Sequence, residues 1–589
     1  MRSSRTLQGA PLSDSGRRGA TAERRLKLAA TRLAAGLVAL SVLCSAVLLL
    51  EAARGDSVTI DEFAHLPAGL YYLHTGRFNL YNLSPPLLRI WCALPVWWAG
   101  AQANFADFVS APNHWLLGYD FMAHNAARYQ ELFFLARLPT IVLVLALVLV
   151  LSVAAWRAFG PGAGVAAAVL CAFSPNILAH GHLVTTDLGH TFFFLLAVLA
   201  YERVLRRPSA ASVVAAGVVI GLAQLTKFTA LLLYPILAVL TAIAAARRGT
   251  RLRLALAFVG CVVVSGIVLN AGYLFQGCGA PLASYELHSS WLQRLAKGPP
   301  GHVPLPLPAD FVTGYDQQAA EAQGQYSVFF HGQLSRTGWW YYYLAALALK
   351  TPIAVLLLVV AGLVALVVGG RWRHDPLGSA VLVLPPLVYL TLFSWLTDIN
   401  LGVRYVLPVY PFLFLIAASL WGAPWAARGW MRAVLAVALL AQVGATWLSR
   451  PYYLSYFNAL AGGSHNGYRW LIDSNVDWGQ ELLRLRAYLQ ARGITQVRLA
   501  YFGRVAPEVY GIDYQVIQGA LQPAVYVVSA SYLMGRPYYL YDHGELYWVP
   551  QNAYAGFQRY TPTAVIGHSL FVFDLRAQGL AHLPLIPPW

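Results

Sequence analysis

Long apolar runs of about the length of a membrane-crossing helix recur along the first three quarters of the chain. A hydrocarbon core of about 30 Å is crossed by about 20 residues of α-helix. The run 86–101 is different, because it contains Arg89, Pro95 and three tryptophans and therefore favours a helix lying in the membrane interface. The pattern predicts eleven spans, at residues 33–53, 132–155, 162–180, 188–204, 209–225, 228–246, 254–276, 341–368, 377–397, 405–423 and 430–448.

After residue 449 the continuous apolar runs give way to short alternating segments separated by turn residues. The segments "VRLAYFG" (497–503), "AVYVVSASYL" (524–533) and "SLFVFDL" (569–575) are typical of strands, and "DWGQELLRLRAYLQARG" (477–493) is typical of an amphipathic helix that ends at Gly493. We therefore expect a mainly α, polytopic membrane protein of about eleven helices (33–449), followed by a small α/β domain (450–589).

The basic residues lie mainly between the apolar runs and predict the orientation of the chain. Residues 1–32 form a basic tail, which the positive-inside rule places in the cytoplasm, and residues 1–27 have a composition typical of disorder. This orientation puts the 54–131 loop, the 277–340 loop and the C-terminal domain outside the cytoplasm. Long loops usually carry function. We expect the 277–340 loop to be a mobile lid over a substrate groove.

Composition supports a membrane protein and excludes several other classes. Of 589 residues, 58% are hydrophobic and only 11% are charged, which is far more apolar than an ordinary soluble domain. The net charge of +16 does not indicate nucleic-acid binding, because the basic residues are not clustered on a soluble domain. The five cysteines lack the spacing of a disulfide framework or a zinc motif.

Two adjacent acids, Asp61 and Glu62, follow the first apolar run. Thr59 and Glu62 have the spacing of a helix capping box, and Asp61 would then lie in the first helical turn, where the helix dipole favours a negative charge. A capped helix end is also a rigid support for a functional carboxylate. The structural and functional interpretations are therefore compatible, and the sequence leaves both open.

Three further charged residues lie at predicted outer ends of spans: Asp187, Lys227 and Arg404. Ionisable residues at membrane depth are costly and mark functional sites by default. The alternatives are a helix N-cap for Asp187 and snorkelling towards the headgroups for the two cations. Together with Asp61 they would place two acids and two bases at one face of the membrane.

A cluster of His180, His182 and His190 around Asp187 is a candidate site for a divalent metal ion, although the spacing is loose. No cofactor is required by any other pattern. The string "DWGQ" (477–480) has the spacing of an N-cap and its partner, and we expect it to be structural.

Several strings occur together in an order that resembles a known family. They are the Asp61-Glu62 pair, "SPPL" (84–87), "TTD" (185–187), "LTK" (225–227), "GWWYYYLAALALKTP" (338–352), "RYVLPVYPF" (404–412), and "YFNALAGG" and "DSNVDWGQEL" within 456–482. The set resembles the GT-C glycosyltransferases that use a polyprenyl-phosphate sugar donor, in particular bacterial protein O-mannosyltransferases and lipid A aminoarabinose transferases. The resemblance extends from about residue 33 to about residue 490.

The resemblance implies an inverting transfer of one sugar from a polyprenyl-phosphate carrier to an acceptor hydroxyl, outside the cytoplasm, in a bacterial inner membrane. It implies that Asp61 is the general base. Glu62 and Asp187 complete the candidate catalytic set, and the resemblance implies that Asp187 positions acceptor or sugar or restrains Asp61.

A departing phosphate requires cations. Lys227 and Arg404 are the candidates, because an ammonium is a compact charge and a guanidinium binds phosphate through two donors. Relatives in the aminoarabinose branch carry a charged pair before the Pro-Pro, where this chain has Asn82 and Ser84. Either Arg77 or Arg89 substitutes for the missing cation, or Lys227 acts without that help.

Two other functional classes and one closely related enzyme remain open. A proton- or ion-coupled transporter also places acids in membrane segments, although it favours internal repeats and sites near the midplane. A receptor would use the C-terminal domain for binding, but eleven spans exceed what an anchor needs. An enzyme of the same fold that transfers an oligosaccharide or an arabinofuranose differs only in substrate.

Overall fold

The computed structural model describes residues 14–248, 251–324 and 326–576. The helices of the N-terminal half are α1 (Asp14–Gly55), α2 (Ile60–Thr75), α3 (Leu87–Trp98), α4 (His114–Asn125), α5 (Tyr129–Phe159), α6 (Pro161–Ala172), α7 (Pro175–Gly181), α8 (Asp187–Arg206), α9 (Ala210–Gln224), α10 (Leu233–Arg248) and α11 (Arg251–Gly272). The later helices are α12 (Ser290–Lys297), α13 (Ala309–Glu321), α14 (Tyr342–Lys350), α15 (Ile353–Val368), α16 (Arg371–His374), α17 (Pro376–Trp395), α18 (Tyr410–Ala418), α19 (Gly429–Ser449), α20 (Leu482–Ala491) and α21 (Ala530–Leu533).

The strands are β1 (Val328–Phe330), β2 (Gln333–Ser335), β3 (Val497–Ala500), β4 (Tyr514–Val516), β5 (Val525–Ser529), β6 (Tyr538–Asp542), β7 (Glu545–Val549), β8 (Ala564–Ile566) and β9 (Leu570–Asp574). The predicted class, a mainly α membrane protein with a small C-terminal α/β region, is confirmed. Within the described residues, eight helices are long and apolar enough to cross a membrane, or up to ten if each of two bent helix pairs is one span.

Prolines and helix length account for the difference from the eleven predicted spans. The predicted span 162–180 is α6 and α7, bent by 57°, and the predicted span 341–368 is α14 and α15, bent by 116°. Pro175 and Pro352 stand at the two breaks, and a proline disfavours helical conformation in the residue before it. The predicted span 209–225 is the 15-residue α9, which is shorter than a typical crossing helix.

Helix α1 begins at Asp14, so the expectation of disorder is wrong for residues 14–27. The other residues that were expected to be disordered, 1–13, lie outside the described residues. The apolar run 86–101 forms the 12-residue helix α3, which is too short to cross a membrane. Its length is compatible with the interfacial interpretation.

The C-terminal domain is built on a five-stranded mixed sheet of order β4-β3-β5-β9-β8. Strand β3 is parallel to β4 and β5, whereas β9 is antiparallel to β5 and β8. Strands β6 and β7 form a separate hairpin in which Tyr539 is paired with Trp548. The three predicted strands correspond to β3, β5 and β9. Residues 577–589 of the predicted domain lie outside the described part.

The segment 473–482 joins the C-terminal domain to the start of α2. Ile60 N donates to the carbonyl of Trp478 at 3.0 Å, and Ser57 N donates to the carbonyl of Gln480 at 2.9 Å. The predicted helix 477–493 begins later, at Leu482, so the expected N-cap role of Asp477 is wrong. Asp477 Oδ2 instead accepts a hydrogen bond from Ser531 N at 3.1 Å.

The 277–340 loop is folded. It contains α12, α13 and the β1–β2 hairpin, and Phe311 of α13 packs against Phe228 and Tyr273 in the main core. Residues from the end of α13 onward line the cavity described below. Part of the loop therefore lines a cavity, while its role as a mobile lid over a substrate groove stays a prediction.

Candidate functional site

A cavity of about 490 Å³ lies where the membrane helices, the two long loops and the C-terminal domain meet. The membrane helices and their breaks contribute Lys227, Arg404 and Tyr405. Asp61 lines the same cavity from the first turn of α2. The remaining walls come from the 277–340 loop and from the C-terminal domain.

The four charged residues that the sequence predicts together form one alternating chain. Arg404 Nη1 donates to Asp61 Oδ2 at 2.8 Å and to Asp187 Oδ2 at 3.3 Å. Lys227 Nζ donates to the other oxygen of Asp187, Oδ1, at 2.7 Å. Two anions thus balance two cations in a largely buried place, which is the condition under which buried charges are tolerated.

Helix starts and breaks bring these side chains together. Asp61 lies in the first turn of α2 and Asp187 is the first residue of α8, so both carboxylates lie where the helix dipole favours negative charge. Lys227 has extended backbone between α9 and a 3₁₀ turn, and Arg404 lies in the 3₁₀ segment that precedes α18. Breaks in apolar helices that are buried in the protein allow side chains to converge on a cavity.

The two acids among these four charged residues, Asp61 and Asp187, differ in how many hydrogen bonds they can still accept. Asp187 is 1% exposed, does not line the cavity, and has one oxygen on each cation. Asp61 is 20% exposed, and its Oδ1 has no hydrogen-bond partner among residues 14–248, 251–324 and 326–576. Asp61 is therefore open to an incoming donor, whereas Asp187 holds Arg404 and Lys227 in place.

Both cations line the cavity and keep donors that make no hydrogen bond within the described residues. Within the described part of the chain, Arg404 uses Nη1 and Nε but makes no hydrogen bond through Nη2. Lys227 uses one of its three N–H donors. The ring of Tyr405 lies 4.7 Å from Lys227 Nζ and 4.9 Å from Arg404 Cζ, which adds cation–π attraction at both.

The segment that begins at Asp473 fixes the orientation of Arg404. Ser474 Oγ accepts from Arg404 Nε at 3.2 Å, and the indole of Trp478 lies 4.4 Å from the guanidinium carbon. Ser474 and Trp478 are almost completely buried. The guanidinium plane is therefore held from two sides, while Nη2 makes no hydrogen bond within the described residues.

Glu62, which was also predicted to be catalytic, makes structural contacts, and its catalytic role stays a prediction. Glu62 is fully buried and does not line the cavity. Its two oxygens accept from Arg137 Nε and Nη2 at 2.8 and 2.7 Å, and from the backbone N–H groups of Val184 and Thr59 at 3.0 Å each. Burial raises the pKa of this carboxyl, but Arg137 outweighs burial and holds the pKa below its ordinary value. Glu62 is the structural support of the helix end that carries Asp61.

Arg89 is also placed differently from the prediction, since it does not line the cavity. It is 1% exposed, stacks at 3.9 Å on the ring of Tyr81, and donates to Ser84 Oγ at 2.6 Å and to the hydroxyl of Tyr72 at 2.9 Å. It therefore shapes the 81–84 segment behind the cavity and does not reach a phosphate in it. Arg77 is exposed and lines another pocket.

The three histidines do not converge on a metal site. His182 Nε2 contacts Asp56 Oδ2 at 2.9 Å, His190 Nδ1 contacts Thr226 Oγ1 at 3.0 Å, and His180 packs against Trp478. Within the described residues, no group of three or more His, Cys, Asp or Glu side chains has the arrangement of a metal site. The candidate metal ligation by His180, His182 and His190 is therefore corrected.

Sequence reasoning missed several residues of the cavity. From the C-terminal domain, Arg536 forms an ion pair with Asp473, and burial lowers the pKa of Arg536 to about 10. From the 277–340 loop, the hydroxyl of Tyr326 donates to Glu321 Oε2 at 2.7 Å, and burial raises the pKa of Glu321. Asp473 belongs to the string "DSNVDWGQEL", which was noted in the sequence. Nothing in the sequence places Arg536, Tyr326 or Glu321 near Asp61.

One family model matches part of the chain. Residues 129–271 match the family described as dolichyl-phosphate-mannose-protein mannosyltransferase. The match confirms the resemblance over that segment, which runs from α5 to α11 and carries Asp187 and Lys227. No curated protein sequence matches the chain.

Several solved structures are similar to this chain, although their sequences share few identical residues with it. The chain is similar to ArnT from Cupriavidus metallidurans bound to undecaprenyl phosphate, with 15% identity and a TM-score of 0.46 over 86% of this chain and 96% of that chain. It is also similar to the Archaeoglobus fulgidus oligosaccharyltransferase in complex with Zn and sulfate, with 13% identity and a TM-score of 0.45 over 92% of this chain and 76% of that chain.

Proposed function

We propose that this protein is an inverting glycosyltransferase that moves a sugar from a polyprenyl-phosphate carrier to an acceptor hydroxyl, on the extracytoplasmic side of the membrane. The observation that carries the proposal is the set of alternating charges Asp61, Arg404, Asp187 and Lys227, three of which line the cavity, with free bonding capacity at Asp61 and at both cations. The match of residues 129–271 to a family named for a lipid-phosphate sugar donor supports the choice of donor.

Asp61 is the proposed general base. The acceptor hydroxyl donates to the free Oδ1 of Asp61, and its oxygen attacks the anomeric carbon as the proton moves to the carboxylate. A bond forms between the acceptor oxygen and the anomeric carbon, and the bond from that carbon to the phosphate oxygen breaks. A single displacement of this kind inverts the anomeric configuration.

Lys227 and Arg404 are the proposed binding groups for the phosphate. The leaving phosphate gains negative charge as the glycosidic bond breaks, and preorganised cations in a partly dry site stabilise that charge more than water does. Arg404 Nη2 and the free donors of Lys227 supply these contacts, and Asp187 keeps the two cations apart and correctly aimed. Asp187 therefore acts as a positioning residue.

The test is turnover of a labelled donor by the full-length protein in lipid nanodiscs. A panel of undecaprenyl-phosphate hexoses and pentoses, labelled in the sugar, is incubated with cell-envelope material as the acceptor source. We expect release of undecaprenyl phosphate together with transfer of label to one acceptor fraction. Ion-gradient-dependent uptake of a solute into proteoliposomes of the same protein, without release of undecaprenyl phosphate from any donor, would establish the transporter alternative.

A further inference from the structure

Part of the cavity lining is an aromatic wall. It consists of Phe502, Tyr538, Tyr539 and Trp548 of the C-terminal domain and Trp115 of the 54–131 loop, all of which line the cavity. Tyr539 and Trp548 are cross-strand partners in the β6–β7 hairpin, with ring centroids 5.0 Å apart. They are 42% and 51% exposed. The aromatic wall therefore extends from the buried site to the solvent.

A buried arginine joins the two parts of the aromatic wall. Arg504 is 5% exposed, and its guanidinium carbon lies 4.5 Å from the ring of Trp115, 5.0 Å from that of Tyr539 and 5.3 Å from that of Tyr538. Stacking of a guanidinium between aromatic rings is attractive and directional. The rings are consequently held in place before any ligand arrives.

Polar groups with free capacity lie beside these rings. Arg536 and Asp473 form an ion pair and both line the cavity. Arg536 is 6% exposed, yet its Nε has no hydrogen-bond partner within the part of the chain that the structure describes. An unpaired buried donor is costly unless a ligand satisfies it. A carboxylate and a guanidinium side by side offer planar acceptors and donors to the neighbouring hydroxyls of a ligand.

The combination points to a sugar ring. The C–H face of a pyranose is apolar and flat enough to pack against an aromatic ring, while its rim carries hydroxyls that need planar hydrogen-bonding partners. A peptide acceptor would be expected to use backbone groups of an exposed strand edge and pockets for alternate side chains. The aromatic wall offers large rings and a charged pair.

We propose that the aromatic wall and the Arg536–Asp473 pair form the acceptor subsite, and that the acceptor is a glycan whose sugar ring stacks on Tyr539 and Trp548. The identification of this subsite as the acceptor subsite rests on the proposed function. A lipid-linked donor reaches the four charged residues from the bilayer, which leaves the solvent-exposed end of the cavity for the other substrate. Binding of the sugar ring itself does not depend on transfer.

The test is saturation-transfer difference NMR on the full-length protein in nanodiscs, without donor. The probes are the methyl glycosides of glucose, galactose, mannose and N-acetylglucosamine, the corresponding disaccharides, and a Ser/Thr-containing peptide. The variants are Trp548→Ala and Tyr539→Ala, both at exposed positions where truncation leaves no cavity in the core. Tyr547→Ala is the matched control, because Tyr547 lies next to Trp548 on β7 but does not line the cavity.

We expect saturation of ring C–H protons of at least one glycoside, at least a fivefold weaker signal in Trp548→Ala and Tyr539→Ala, and no change in Tyr547→Ala. In the transfer assay the KM for that glycoside should rise about tenfold in both wall variants. The inference is overturned if no glycoside is saturated, if the signal survives both wall variants, or if only the peptide binds. Glycoside binding without release of undecaprenyl phosphate from any donor would instead refute the proposed function and leave the subsite standing.

Discussion

Replacing Glu62 by Gln should destabilise the protein strongly, although the change removes only a charge. Glu62 Oε1 accepts from Arg137 Nε and Val184 N, and Oε2 accepts from Arg137 Nη2 and Thr59 N. Whichever oxygen becomes the amide NH₂, two N–H donors then face another donor. Each buried donor left unpaired costs about 1–3 kcal/mol, and breaking a buried ion pair costs about 3–5 kcal/mol.

We therefore expect Glu62→Gln to lower the free energy of unfolding by about 3–5 kcal/mol, measured by SDS titration in mixed micelles. The matched control is Glu131→Gln, since Glu131 pairs with Arg128 at 2.9 Å but both side chains are about half exposed. That surface pair should contribute little to stability, because both charges stay solvated and are screened by salt. Equal losses in the two variants would refute the structural role of Glu62.

The same ion pair predicts a pH dependence with a definite sign. The pKa of Glu62 lies below its ordinary value of 4.5 in the folded protein. Its contribution is therefore fully present above pH 4.5 and is lost as the pH falls through the folded pKa. The Glu62→Gln variant should lack this component. Parallel stability curves for wild type and variant below pH 4.5 would contradict the assignment.

Three further predictions concern the site and its supports. Lys227→Ala should weaken binding of undecaprenyl phosphate by about tenfold or more in a direct binding assay, with the exposed Arg77→Ala as an unaffected control; equal affinities would place the phosphate elsewhere. Ser474→Ala removes the acceptor that holds Arg404 Nε and should lower kcat/KM for the donor by about tenfold, whereas unchanged steady-state kinetics would show that Arg404 needs no such support. Burial raises the pKa of Asp477 to about 7 from an ordinary 3.8. As the pH rises from 3.8 to about 7, ionisation of this residue in the unfolded state increasingly opposes folding. Asp477→Asn should therefore be more stable than wild type at pH 8 but not at pH 4. A variant without this pH-dependent gain in thermal unfolding would show that Asp477 ionises normally in the folded protein.

The length of the apolar runs predicted most of the membrane helices, because a span is a local property of about 20 residues. The bend between α14 and α15 was not predicted, since the interruption at 350–352 is only three residues long and has long apolar runs on both sides. The start of α20 at Leu482 was missed for a related reason. The preceding residues have helix-like spacing but are bonded to the start of α2 instead.

The candidate site was predictable where charges stand out against apolar sequence. Asp61, Asp187, Lys227 and Arg404 are conspicuous for this reason, and the structure brings them together. The separate roles of Asp61 and Glu62 could not be read from two adjacent acids, because the distinction depends on Arg137, which is 75 residues away in sequence. Arg536 and the aromatic wall lie in ordinary-looking sequence, and only the docking of the C-terminal domain places them in the cavity.

The central claim is that Asp61 accepts the proton of the acceptor hydroxyl. The most direct test is the single-turnover rate of undecaprenyl phosphate release by Asp61→Asn at saturating donor and acceptor, beside Asp107→Asn, an exposed acid in the same loop. We expect the Asp61 variant to be slower by about 10²–10⁴-fold while it still binds undecaprenyl phosphate, and the Asp107 variant to match wild type. Release by Asp61→Asn within about twofold of the wild-type rate would contradict the claim.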